Sequence, residues 1–263
     1  MKKRIINILI WLGLFAYIIV SLNFVAKRSG EEKCEKVNIT MTDTLSKLVN
    51  KRDIELLMER NKLSAYGTLM KTINKYKLSK LITDSIPLVH KVSIYNAIGG
   101  ILCINVEQRV PVLRVITNNQ QSFYIDLDGY IFPLSKHYGC RALVANGHIF
   151  EKGYKDKAIH IDSLKNENNA NPRKLKELYT LACYIWNDDL LRSMIEQIYV
   201  NTNEYEMIPR LGSQVIYFGN IDNYEKKFFN LKTIYYKVFT NLGWQKYRTI
   251  NLKYDNQVIC IKR

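Results

Sequence analysis

The chain opens on one long apolar run, Ile5 to Val25, broken only near its ends by Asn7 and Asn23. A helix needs about 20 apolar residues at ~1.5 Å rise to cross a hydrocarbon core ~30 Å thick, so the run predicts a single transmembrane helix over 5–25. It is longer than an ordinary signal-peptide core, and Ser21-Leu22-Asn23-Phe24-Val25-Ala26 offers no convincing Ala-x-Ala-like site. An anchor is therefore favoured over a cleaved leader. Lys2, Lys3 and Arg4 on one side face Lys27, Arg28, Lys33 and Lys36 on the other, which leaves orientation unsettled by charge. A short tail (1–4) before a long domain is nonetheless the layout of a signal anchor that exports its bulk.

Behind a polar stalk (26–36) the periodicity changes. Val37-Asn38-Ile39 begins an alternating stretch, then Ile54, Leu57 and Met58 recur at helical spacing, as do Leu78, Leu81 and Ile82 before Pro87. Val92 and Ile94 open a strand, Asn96-Ala97-Ile98-Gly99-Gly100 supplies a turn, and Leu102, Ile104 and Val106 alternate with Cys103, Asn105 and Glu107. The order β-α-α-β-β predicts a small α+β domain (37–115) in which two helices cover one face of a three-stranded sheet.

A second domain (116–263) mixes strands and helices. Phe123 to Phe132 reads as a hairpin with Asp128-Gly129 at its turn. Asp126 and Asp128 suit turn geometry better than a carboxylate pair or a calcium loop, because no further ligands follow. Leu175, Leu178, Tyr179, Ala182, Ile185 and Trp186 stripe one helix, Ile195 to Val200 is strand-like, and Gly212 and Gly219 bracket a half-buried strand. Asp222 and Glu225 predict a capped helix striped by Phe228, Leu231, Tyr235, Val238 and Leu242 and closed by Gly243. In the closing segment Ile250, Leu252 and Tyr254 share one face and Thr249, Asn251 and Lys253 the other, followed by Asp255-Asn256 and a run from Gln257 to Lys262. A late strand is often an edge open to another chain. Periodicity alone also allows an internal strand paired on both sides.

Composition narrows the chemistry. The net charge of +15 raises nucleic acid or an acidic surface as partner, but the lysines are spread along the chain, and no nucleic-acid role is expected. Cys34, Cys103, Cys140, Cys183 and Cys260 contain no C-x-x-C pair, and the four histidines stand apart. No metal, cofactor or small-molecule substrate is expected, and no hydrolase or phosphate-loop motif points to an enzyme.

Taken in order, these pieces resemble the bacterial cell-division family FtsQ, called DivIB in Gram-positive organisms. The resemblance lies in the tail, anchor and β-α-α-β-β unit, and in Val92-Ser93-Ile94-Tyr95-Asn96 followed by Leu102-Cys103-Ile104-Asn105-Val106-Glu107-Gln108-Arg109-Val110-Pro111. It continues through Tyr124-Ile125-Asp126-Leu127-Asp128-Gly129 with Phe132-Pro133-Leu134, Ile208-Pro209-Arg210-Leu211-Gly212, and Ile250-Asn251-Leu252-Lys253-Tyr254. It implies a POTRA domain, then a β domain with a C-terminal edge strand, in a catalytically inactive scaffold of the divisome. It further implies FtsB- and FtsL-type partners bound by strand addition, with the chain single-pass in the inner membrane, N-terminus cytoplasmic and bulk periplasmic. The partner-binding positions so implied are Tyr235, Trp244, Tyr247, Arg248, Ile250, Leu252, Lys253 and Tyr254. The competing reading is a POTRA-containing component of a membrane-protein translocation or assembly machine, which would call for the amphipathic strands of a barrel.

Overall fold

The computed structural model describes residues 10–22, 32–42, 47–151, 154, 157–164, 172–239 and 243–263. Residues 10–22 are helical (α1), and the apolar side chains of Trp11, Phe15 and Val20 are exposed. Among the described residues no helix is long and apolar enough to cross a membrane; residues 1–9 and 23–31, which hold both ends of the predicted span, lie outside them. The chain divides into two compact units. One comprises Met1–Asp43, Asn50–Ser85 and Val89–Gln108; the other comprises Thr44–Val49, Ile86–Leu88 and Arg109–Arg263.

The first unit runs β1 (Lys36–Met41), α2 (Lys51–Arg60), α3 (Lys75–Ser85), β2 (Val89–Ala97) and β3 (Ile101–Gln108), with a short 3-10 turn before α3. The sheet order is β1-β3-β2, with β1 parallel and β2 antiparallel to the central β3. Local chemistry sets the boundaries. Asn50 N–H donates to the Asp53 carboxylate at 3.1 Å at the start of α2, Asn74 accepts from Lys77 N–H at 2.9 Å at the start of α3, and α3 stops ahead of Pro87. Ile54 and Met58 of α2 and Leu78 and Ile82 of α3 are buried, as are Leu102, Ile104 and Val106 of β3. Each set repeats at the period of its own element, which is why the sequence declares this unit so clearly.

The second unit holds β4 (Pro111–Ile116), β5 (Ser122–Asp126), β6 (Tyr130–Pro133), β7 (Leu143–Gly147) and β8 (Ile159–His160). Then come α4 (Pro172–Trp186), α5 (Asp189–Met194), β9 (Ile195–Asn201), β10 (Glu204–Pro209), β11 (Val215–Gly219), α6 (Tyr224–Ile234), β12 (Tyr247–Asn251) and β13 (Ile259–Lys262). Among the described residues they form one ten-stranded sheet ordered β13-β12-β11-β10-β9-β7-β4-β5-β6-β8. Leu175, Leu178, Leu181, Ala182 and Ile185 of α4 and Phe228 and Leu231 of α6 join one core with Val115, Ile125, Ile198, Val200, Ile216, Phe218 and Ile250. The α+β class and the β-α-α-β-β order of the first unit agree with the sequence expectation.

Three local expectations change. Asp222 does not cap α6: the preceding residue is Asn223, at φ 53°, while the Asp222 carboxylate accepts from the Asn220 amide. A tight turn after β11 thus replaces the capping box. After Ile234 the helix widens into one π turn, Tyr235–Phe239, which buries Phe239 and leaves the predicted Val238 half-buried; Leu242 lies outside the described residues. The extra residue in that turn moves the apolar stripe one position along the chain. The third change concerns the closing strand.

Candidate partner-binding edge

The edge is built by a crossover. β11 enters α6, which packs Phe228 and Leu231 on the sheet, and the chain returns as β12 parallel to β11, pairing Val215 with Thr249, Ile216 with Ile250 and Tyr217 with Asn251. A parallel neighbour needs such a connection, and a helix is its usual form. The chain then reverses through residues 252–258 and lays β13 antiparallel on the other side of β12, with Thr249 opposite Ile261, Ile250 opposite Cys260 and Asn251 opposite Ile259. β12 is therefore an internal strand. The expectation that residues 247–254 carry the free edge is corrected: the edge belongs to β13.

The predicted positions divide accordingly. Ile250 and Leu252 are buried in the core, and Tyr247 is buried with its ring stacked on Phe239 at 5.1 Å. Tyr235 lies half-buried in the π turn, edge-on to Phe239 at 4.9 Å. Burial, reinforced by the neighbouring Cys260 thiol, pushes its phenol up to about 12. Trp244 opens the short 3-10 turn that leads into β12. Arg248, Lys253 and Tyr254 are exposed; Lys253 pairs with Glu204 and lies over the Tyr217 ring at 5.8 Å. Four of the eight thus serve the core behind the edge, and three lie on the surface beside it.

Backbone alternation assigns each row of the edge. Leu252 N–H donates to Tyr217 O at 2.9 Å, toward β11, so Thr249 and Asn251 turn their N–H and C=O groups toward β13. Arg263 N–H donates to Lys246 O at 3.0 Å, toward β12, which turns the main-chain groups of Cys260 and Lys262 outward, where no strand among the described residues lies. Ile259 is 39% exposed and Ile261 is 55% exposed, on the face opposite Cys260. None of these β13 residues is among the eight positions that the family resemblance implies. The alternation of Val258 and Cys260 with Ile259 and Ile261 was the available signal.

The link between β12 and β13 is held by polar contacts. Asn223 Nδ2 donates to Asp255 Oδ1 at 3.4 Å and Lys226 Nζ to Asn256 Oδ1 at 3.3 Å, both between exposed side chains. Nearby, Lys227 is buried and donates to the Asn220 backbone oxygen at 2.9 Å and to Asn220 Oδ1 at 3.0 Å. Burial holds its pKa below the ordinary lysine value, against the opposing pull of Asp222, Asp255 and Glu204.

Asp126, weighed from sequence as a carboxylate of a catalytic pair, is fully committed elsewhere. Its Oδ1 accepts from the N–H groups of Asp128 at 3.1 Å and Tyr130 at 2.8 Å, and its Oδ2 from Arg109 at 2.7 Å. Its role is to lock the β5–β6 turn.

Comparison with known families bears on this arrangement. The family described as FtsQ/DivIB, C-terminal related, matches residues 110–261, and the POTRA-like domain family matches residues 32–107. No curated protein matches the chain.

Proposed function

The chain belongs to the FtsQ/DivIB family, and from that membership we propose that it is a non-enzymatic, single-pass scaffold of the bacterial divisome. Residues 5–25 anchor it in the inner membrane, the N-terminus stays in the cytoplasm, and both units work in the periplasm. The domains follow as 37–115 and 116–263. Its partners are FtsB- and FtsL-type division proteins, taken up by strand addition at the C-terminal end of the large sheet.

The observation that carries this reading is the family match across 110–261, the region that ends on the β12–β13 edge. The edge is chemically suited to the task. Its outermost strand has four residues, with Ile259 and Ile261 exposed, which leaves that end of the sheet accessible to an extended segment. Lys262 and Arg263 at its end discourage indiscriminate pairing. A translocation or assembly role is less well supported, because the segment after the POTRA-like unit matches the FtsQ/DivIB family.

Depletion in the host, combined with co-purification, tests the proposal. Cells that lose the protein should grow as filaments, and the tagged full chain should retain FtsB- and FtsL-type proteins. Normal septation on depletion would reject it.

A further inference from the structure

We propose that β13 is a removable occupant of the partner's seat: the surface a partner takes is the outer row of β12, on Thr249 and Asn251, and not the free row of β13. The inference rests on the strand-addition reading above and specifies its mode, exchange in place of extension.

Four observations carry it. β13 has four residues, and its pairing with β12 is interrupted by a register shift between Tyr247 and Thr249. None of the four is fully buried and Cys260 alone of them packs against the core, so the departure of β13 exposes little apolar surface. The link to β12 is fastened by the two long polar contacts to Asn223 and Lys226, which can break without disturbing the core. β12 itself would stay, since Ile250 and Leu252 are buried and its other row is bonded to β11.

A further observation describes the guest. With β13 in place, the Thr249 hydroxyl and the Tyr235 phenol are both buried, and among the described residues neither has a hydrogen-bond partner. Thr249 stands opposite Ile261, so its unmet hydroxyl adjoins a position where β13 supplies an aliphatic side chain. Buried polar groups without partners are rare, and an alternative occupant that satisfies them is favoured over one that does not. The partner that fits is an extended segment longer than β13, with a hydroxyl or amide side chain at the position opposite Thr249.

Exchange and extension make opposite demands, and two variants of the full chain separate them. In a C260S background, N251C with I259C forms a cross-strand disulfide that locks β13 on β12 and leaves the Thr249 hydroxyl in place. C260P removes an outward amide of β13 and leaves the amides toward β12 intact. The probe is the exported segment of the host's FtsB-type protein. Exchange predicts that the oxidised lock weakens binding by at least about tenfold and that reduction restores it, while C260P keeps its binding. The reverse pattern, a lock that binds normally and a C260P that does not, would overturn exchange and leave strand addition standing. Absence of binding by the unaltered chain would overturn strand addition itself. A measurement without partner adds an independent check: amides of Thr249 and Asn251 should exchange hydrogen well before those of Ile250 and Leu252. Equal protection of the two rows would also overturn exchange.

Discussion

At the scale of single residues, the Arg109–Asp126 pair makes the sharpest demand. The two side chains are 7% and 3% exposed, and the guanidinium also donates to Pro87 O at 3.1 Å and lies over the Tyr130 ring at 4.4 Å. Asp126→Asn keeps an acceptor for the turn but strips a buried cation of its counter-charge. Such losses are typically worth about 3 kcal/mol, and the denaturant midpoint should fall accordingly; an unchanged midpoint would contradict the pairing. Half of this site was legible in the sequence. Asp128-Gly129 announces a turn, and Gly129 indeed takes φ 79°. Arg109 was silent because it meets Asp126 only through the β4–β5 pairing. Gly147 was silent for the same reason: at φ 103°, a Cβ there would collide with the Val200 backbone oxygen, a close approach created by β7 lying beside β9.

Among elements, α5 depends on one carboxylate. Asp188 accepts from Leu191 N–H at 3.0 Å as the N-cap and from Lys232 of α6 at 2.6 Å, so a six-residue helix is tied to the crossover behind the edge. Burial alone would raise its pKa, but Lys232 and the capping amides outweigh that effect and hold it below the ordinary aspartate value. A depressed carboxylate contributes stability that is complete above its unfolded pKa of about 3.9 and disappears as pH falls through the lower folded value. Asp188→Ala should therefore cost about 1 kcal/mol at neutral pH in urea titrations, with the difference closing in acid. Equal loss at pH 7 and at acid pH would refute the ionic part. Stripes such as Leu175-Leu178-Ala182-Ile185 revealed the long helices, whereas α5 is too short to show a period. β10 alternates Glu204, Glu206 and Ile208 with the buried Tyr205, Met207 and Pro209, a pattern that was available and overlooked. The position of β12 was of another kind. Alternation says which face a side chain takes, while the number of neighbours is decided by where residues 252–258 carry the chain next.

For the whole molecule, the two-domain α+β reading followed from a change of period along the chain, and the anchor from one uninterrupted run. The anchor remains a proposal with a direct test. The full chain should sediment with membranes and resist alkaline carbonate, and a variant lacking 5–25 should be soluble; release of the full chain by carbonate would reject the anchor. The large sheet carries a further consequence. From β9 outward, each neighbour is the next strand along the chain, β10, β11, β12 and finally β13. This flank of the sheet is thus laid like courses of brick in order of delivery, and the strand that seats the partner is set next to last, with β13 closed over it. A chain halted before β12 offers a passing partner no seat, so competence to recruit waits for the strands beneath it.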